Sequence, residues 1–275
     1  VHAHPDDEAS KGAATIAKYV AEGVDVMIAT CTGGERGDVL NPKLKNLENE
    51  KQLAEIRNKE MQDSIKILGA KHTWLGHIDS GWPDGEPKPP LPPGCFAEIS
   101  LEEAARPLIK LIREFRPQVL ITYDENGGYP HPDHIRCHEI TMFAYEHAGR
   151  LNRFPELGTP WQPLKVYYQM SFNYQHQLAI QKAFDELNKE NPFAKWFEDT
   201  KDDTELVTTK IHCAEYFGKR DLALLAHATQ VDPDDDWFAL PTEVAQRTWP
   251  TEDYHLAITR VATKTPETDL FAGLR

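Results

Sequence analysis

The tripeptide His-Pro-Asp occurs twice, at residues 4–6 and 131–133, and in each copy a second potential metal ligand stands three positions after the histidine: Asp7 after His4, and His134 after His131. Brought side by side, the two turns supply two imidazoles and a carboxylate. That set leaves a catalytic zinc one position for water, and such an ion lowers the pKa of its water toward about 7. Asp6, next to a ligand but free of the metal, suits a general base. His131 then faces the opposite side of a substrate carbonyl, to stabilise the oxyanion and protonate a leaving amine. Tyr129 adds a second donor, and Asp133 is placed to orient one of the histidines from behind. The expected chemistry is metal-assisted hydrolysis.

A single His-Pro-Asp reads more simply, as a strand-to-helix turn with an N-capping Asp. Two copies, one extended by an aspartate and the other by a histidine, point instead to a shared ion. The proline fits both readings, because it fixes φ and is tolerated in the first turn of a helix.

The elements that must position these residues follow an α/β pattern. Residues 10–22 carry small and apolar residues at helical spacing and stop at Gly23. Val24–Cys31 is β-branched and nearly continuous, as a buried parallel strand is. A glycine-rich turn over Thr32–Gly37 leads to a long amphipathic helix from about Glu48 to Leu68, then a short strand over His72–Leu75. The prolines at 83, 87, 89, 90, 92 and 93 make residues 77–94 an extended loop. Ser100 and Glu103 have capping-box spacing, and Leu101, Ala104, Ala105, Leu108, Leu111, Ile112 and Phe115 share one helical face; Pro107 offers a second start near Arg106, with proline in the first turn. Gln118–Tyr123 is a further strand. Beyond about residue 150 the pattern weakens; Lys165–Met170 reads as a strand, 212–228 as a helix, and Asp232–Asp236 as a solvated acidic turn. The expected fold is α/β: a Rossmann-like, mostly parallel sheet flanked by helices, with an elaborated C-terminal part. A metal-binding core over 1–150 and a C-terminal part over 151–275 are expected to form one structural domain, the latter packing on the core and completing the substrate site. In such sheets the ligand sits at the carboxyl ends of the strands, where both His-Pro-Asp turns fall.

The 275 residues carry a net charge of −14 and no run of Lys/Arg, which argues against a nucleic-acid partner. The absence of a long apolar run argues against a membrane span. Nothing near Val1 reads as a signal peptide, and the earlier residues of a first strand are expected upstream of it. The four cysteines, at 31, 95, 137 and 213, show no C-x-x-C pair, as expected of reduced thiols in a cytoplasmic protein. The 32–37 turn lacks both the P-loop lysine and G-x-G-x-x-G, so neither a nucleotide site nor a dinucleotide-dependent oxidoreductase is expected. A catalytically silent sugar-binding module would have no use for Asp6 and His131, yet both are present.

A-H-P-D-D-E at 3–8 followed by H-P-D-H at 131–134 resembles the zinc-dependent N-deacetylase family of LmbE/PIG-L type. Longer strings extend the likeness: AHPDDEASKG at 3–12, TGGERG at 32–37, WLGHIDSGW at 74–82, TYDENGGYPHPDHIRCH at 122–138, YFGKRDLALLAHATQVDP at 216–233 and ETDLFAG at 267–273. The resemblance implies Zn2+, with Fe2+ able to take its place, on His4, Asp7 and His134; a base at Asp6; and His131 with Tyr129 at the oxyanion. It implies a small-molecule substrate, an N-acyl glucosaminyl-inositol compound, contacted by Lys11, Glu35, Arg57 and Asp79. Within the family it sets an amidase acting on thiol–sugar conjugates against a biosynthetic deacetylase. Lys11 and the string Thr122–Pro130 favour the amidase. The resemblance brings His227 near the site without giving it a role, and the oligomeric state is left open.

Overall fold

The computed structural model describes residues 1–44, 50–198 and 200–275. In chain order the elements are α1 (Asp7–Ser10), α2 (Ala13–Ala21), β1 (Met27–Thr32), α3 (Glu50–Leu68), β2 (Lys71–His77), α4 (Leu101–Phe115), β3 (Val119–Thr122), α5 (Pro132–His147), β4 (Lys165–Gln169), α6 (Tyr174–Glu186), α7 (Ala194–Phe197), β5 (Thr209–His212), α8 (Phe217–Ala226), α9 (Thr242–Thr248) and β6 (Thr251–Thr259). The expected start of α3 near Glu48 lies outside the described residues.

Two sets of paired strands form the centre. β1 and β2 are parallel, and a second sheet runs in the order β3-β4-β6-β5. Residues 1–3 join the two. His2 N–H donates to Ala29 O (2.9 Å), Cys31 N–H to His2 O (2.8 Å), and the Val1 amino group to Ile121 O (2.8 Å). The β3–β4 pairing is parallel, whereas β6 is antiparallel to both β4 and β5. The parallel half carries both His-Pro-Asp turns; the antiparallel strands belong to the C-terminal part.

Alternate residues of β1 feed opposite faces, as the pleat requires. Ala29 and Cys31 join a core with Leu108, Ile109 and Ile112 of α4 and Ile140 and Ala144 of α5. Ile28 joins another with Ala13 and Ala17 of α2, Met61 and Leu68 of α3, and Ala223 and Leu224 of α8. Helices therefore cover both faces, which is why β1 is buried on successive residues from Ile28 to Thr32.

Two local expectations need correction and a third is decided by the structure. The helix expected over 10–22 is broken at Lys11-Gly12. Gly12 has φ +96°, and Gln169 Nε2 donates to the Lys11 carbonyl (2.7 Å), so that carbonyl is satisfied from outside the helix. Of the two starts the sequence offers for α4, the structure takes Leu101 and not Arg106. Ser100 Oγ accepts from Glu103 N–H (3.3 Å), and Ala104, Ala105, Leu108, Ile109 and Ile112 are buried along one face. That burial outweighs the missing N–H of Pro107, and Glu103, whose carbonyl Pro107 cannot satisfy, is an exposed residue. The helix expected over 212–228 is α8 alone, because His212 ends β5 and a 3-10 turn covers 214–216.

A buried ion pair ties the chain's end to the sheet. Lys165 Nζ meets Glu267 Oε1 at 2.6 Å with both side chains fully buried, and Tyr167 Oη donates to Glu267 Oε2 at 2.5 Å. Lys165→Ala leaves that carboxylate without its counter-charge. A loss of about 3–5 kcal/mol in urea unfolding is expected; a loss under about 1 kcal/mol would show the pair to be dispensable.

Candidate active site

Each His-Pro-Asp turn is built by backbone requirements that also aim its side chains. At α5 the N-cap is His131 rather than the aspartate. His131 Nδ1 accepts from Asp133 N–H (3.1 Å), with Pro132 in the first turn. The neutral ring therefore carries its proton on Nε2, facing away from the helix as a donor. At the first turn Asp7 accepts from His4 N–H (2.9 Å), and Asp6 is held at φ +105°, a conformation a non-glycine residue adopts only when its surroundings enforce it.

The two turns converge. The ring centroids of His4 and His134 are 5.3 Å apart, and those of His4 and His131 4.7 Å. His134 Nδ1 bonds the Gly127 carbonyl (3.0 Å), which makes that nitrogen the protonated one. Its Nε2 is buried, has no hydrogen-bond partner, and lies 3.4 Å from Asp7 Oδ2. Two acceptors thus face each other in the interior, and a cation between them removes the conflict. His4 completes the set: its Nδ1 is 3.7 Å from Asp7 Oδ2, while its Nε2 is directed at Asp133 Oδ2 (3.3 Å) and Asp79 Oδ1 (3.7 Å). One ligand atom each from His4, Asp7 and His134 lies within 4.8 Å of the others. A second cluster, His4, His131 and Asp133, meets the same distance. It fits an ion less well, since His131 Nδ1 caps α5 and Asp133 Oδ2 accepts from Ser80 N–H (3.0 Å).

The electrostatics follow this geometry. Burial opposes protonation of His4, but its bonds to Asp133 and Asp79, with Asp7 nearby, raise its pKa well above the ordinary value. For Asp7 burial acts upward, yet Lys11 and His4 beside it hold it well below the carboxylate range. Burial lowers His134 to about 3, and burial together with His4 lowers His131 to about 4, so both rings are neutral at pH 7. Asp6 is shifted upward by burial, with Arg57 opposing.

The residues expected to contact substrate all lie around this cluster, and most are already engaged by the protein. Lys11 Nζ sits on Asp7 Oδ1 at 2.7 Å. Arg57 is buried, with Nη1 on Gly34 O (2.9 Å) and Nη2 on Pro5 O (2.5 Å), and lies 3.4 Å from Asp6 Oδ2. Asp79 accepts from Arg36 N–H and Gly81 N–H, both at 2.9 Å, and Glu35 Oε1 accepts from Asp79 N–H (2.9 Å). Tyr129 is exposed at the mouth, its ring centroid 4.5 Å from that of His134.

Two features had no sequence-based role. Trp82 projects from the proline-rich segment and is 45% exposed, with its ring centroid 5.6 Å from His131 and 6.4 Å from Tyr129. A tryptophan following a glycine in a proline-rich loop was the available signal. Glu8 is fully buried and bonds His227 and Ser64. Nothing in local spacing links those three.

Known proteins resemble this chain along its length. The profile of the family described as PIG-L: GlcNAc-PI de-N-acetylase matches residues 1–145. A mycothiol S-conjugate amidase of Streptomyces coelicolor is 53% identical over 283 residues, covering 100% of this chain and 96% of that protein. A 1D-myo-inositol 2-acetamido-2-deoxy-alpha-D-glucopyranoside deacetylase of Streptomyces avermitilis is 39% identical over 289 residues, again covering 100% and 96%. Among solved structures, the N,N'-diacetylchitobiose deacetylase of Pyrococcus horikoshii superposes with a TM-score of 0.62 at 18% identity, over 93% of this chain and 81% of that one, a likeness of fold. With the converging turns, the α/β core and full-length relatives in agreement, this chain belongs to the PIG-L (LmbE-like) family and is a hydrolase of the amidase and deacetylase class.

Proposed function

We propose that the protein hydrolyses the amide between glucosamine and N-acetylcysteine in mycothiol S-conjugates, releasing glucosaminyl-inositol and a mercapturate. One observation carries this above the alternative: similarity to the Streptomyces coelicolor amidase runs the whole chain at 53%, against 39% for the Streptomyces avermitilis deacetylase. Lys11, seated on Asp7, supports the same choice. The alternative is the deacetylase reaction on N-acetylglucosaminyl-inositol, which needs the same machinery. Turnover of a bimane-labelled mycothiol conjugate against turnover of acetylated glucosaminyl-inositol decides between them. The expected result is higher kcat/KM on the conjugate, and a clear preference for the acetylated sugar overturns the reading.

In the proposed mechanism His4, Asp7 and His134 would hold a divalent ion, Zn2+ or Fe2+, since two imidazoles and a carboxylate suit either. When bound, the ion supplies Lewis acidity to the carbonyl and acidifies water at neutral pH. Asp133 holds His4 Nε2 and so directs Nδ1 inward. Asp6, raised by burial, takes the proton of the attacking water, and that proton passes to the leaving amine as the C–N bond breaks. The neutral His131, with its proton on Nε2, donates to the developing oxyanion, and Tyr129 adds a donor at the mouth. Lys11, Glu35, Arg57 and Asp79 are assigned to the sugar–inositol side, Arg57 and Asp79 chiefly by fixing the loops around it.

His131→Ala is expected to lower kcat on the order of 10²–10³-fold, because its bond strengthens as charge develops on oxygen. KM should change by less than about threefold. An unchanged kcat in steady-state assays removes His131 from the chemistry.

A further inference from the structure

The proposed base is held in place by a buried network that reaches it from the far end of the chain. Asp6 stands at φ +105°, a conformation a non-glycine residue keeps only where neighbouring bonds enforce it. Its backbone N–H donates to Glu8 Oε2 at 3.0 Å. The other oxygen of Glu8 accepts two bonds, from Ser64 Oγ of α3 (2.6 Å) and from His227 Nε2 at the end of α8 (2.7 Å). Glu8, Ser64 and His227 are all fully buried, so water does not substitute for either donor. The turn after α8 is itself pinned to α3: Thr229 N–H and Oγ1 both bond the Glu60 carboxylate at 2.7 Å. His227 is thus delivered to Glu8 at a fixed place, 219 residues away in sequence.

We propose that His227 is a positioning residue for Asp6, acting through Glu8. Fixing Oε1 from two sides leaves Oε2 a single orientation, toward the Asp6 N–H. That bond holds the left-handed turn and with it the Asp6 carboxylate, which lies 3.4 Å from Arg57 Nη2 beside the converging turns. Without the His227 donor the Glu8 carboxylate can rotate, and the Asp6 backbone can relax toward an ordinary φ. His4 and Asp7 have their own mutual bond and do not depend on this network. The inference rests on Asp6 acting as the base but holds for either amide substrate.

The test is a double-mutant cycle measured on the bimane-labelled mycothiol conjugate, or on acetylated glucosaminyl-inositol if the wild type prefers it. His227→Ala is expected to lower kcat about 10- to 100-fold, with KM and bound metal within about twofold of wild type. His227→Gln keeps an N–H near the position of Nε2 and should recover to within about threefold. In an Asp6→Asn background, His227→Ala should cost less than about twofold more, because the group it positions is already lost. Equal losses in both backgrounds, no loss in His227→Ala, or a glutamine variant as poor as alanine overturns the proposal. If His227→Ala yields no folded protein, Ser64→Ala, which removes the other donor to Glu8 Oε1, takes its place in the cycle under the same criteria. A different failure, Asp6→Asn at full activity, would remove the base itself and with it the mechanism above.

Discussion

Asp6→Asn is expected to reduce kcat on the order of 10²–10⁴-fold while the protein keeps its bound metal. The amide is nearly isosteric with the carboxylate, and the two contacts that hold this position survive it: the Asp6 N–H bond to Glu8 and the Arg57 bond to the Pro5 carbonyl. What disappears is the proton acceptor. Asp6 suits that work because burial raises its pKa while Arg57, 3.4 Å away, keeps the charged form accessible. Steady-state kinetics paired with elemental analysis check the prediction. Loss of metal from the variant would make Asp6 a ligand and invalidate the division of roles between Asp6 and Asp7.

The second large effect is expected at His134. His134→Ala removes the buried Nε2 that faces Asp7 and leaves that carboxylate to Lys11 and His4. Bound metal should fall well below one equivalent per chain, and kcat/KM by more than about 100-fold, beyond what outer partners of a metal site usually cost. The fold should survive, because the ring contributes one hydrogen bond, to Gly127 O, and stacking on Tyr123 at 4.4 Å. Circular dichroism and metal analysis separate the two effects. Full metal occupancy in the variant would move the ion to the other cluster, His4 with His131 and Asp133. Dialysis of the wild type against a strong chelator should reproduce the loss of activity, and added Zn2+ or Fe2+ should restore it.

Much of the core was legible because its signals are local. The β-branched run before Cys31, the break at Gly23, the helix ending at Leu68 and the strand over Gln118–Tyr123 all follow from spacing or from a residue's own backbone preference, and the structure contains each of them. The Lys11-Gly12 break was not legible, because the Gln169 bond that causes it comes from 158 residues away. Nor was the full length of α4, since Pro107 is a strong local signal overruled by burial of a whole helix face. The C-terminal strands were the least visible. β6 reads T-E-D-Y-H-L-A-I-T, with polar residues where a central strand is usually apolar, and its place between β4 and β5 is set by pairing rather than by composition.

The same division runs through the site. Which residues meet at one place was readable from type and spacing: a histidine with a carboxylate or a second histidine three residues on, twice, behind two strands. Those features act over a single turn of backbone, and a linear string preserves them. Which nitrogen of each imidazole carries its proton, the capping of α5 by His131, and the use of Arg57 and Asp79 to fix loops were decided by the tertiary structure alone. So was the link from His227 to Asp6. These depend on which donor meets which acceptor once distant segments are packed and water is excluded, and a buried bond across 219 residues leaves no periodic trace in the chain.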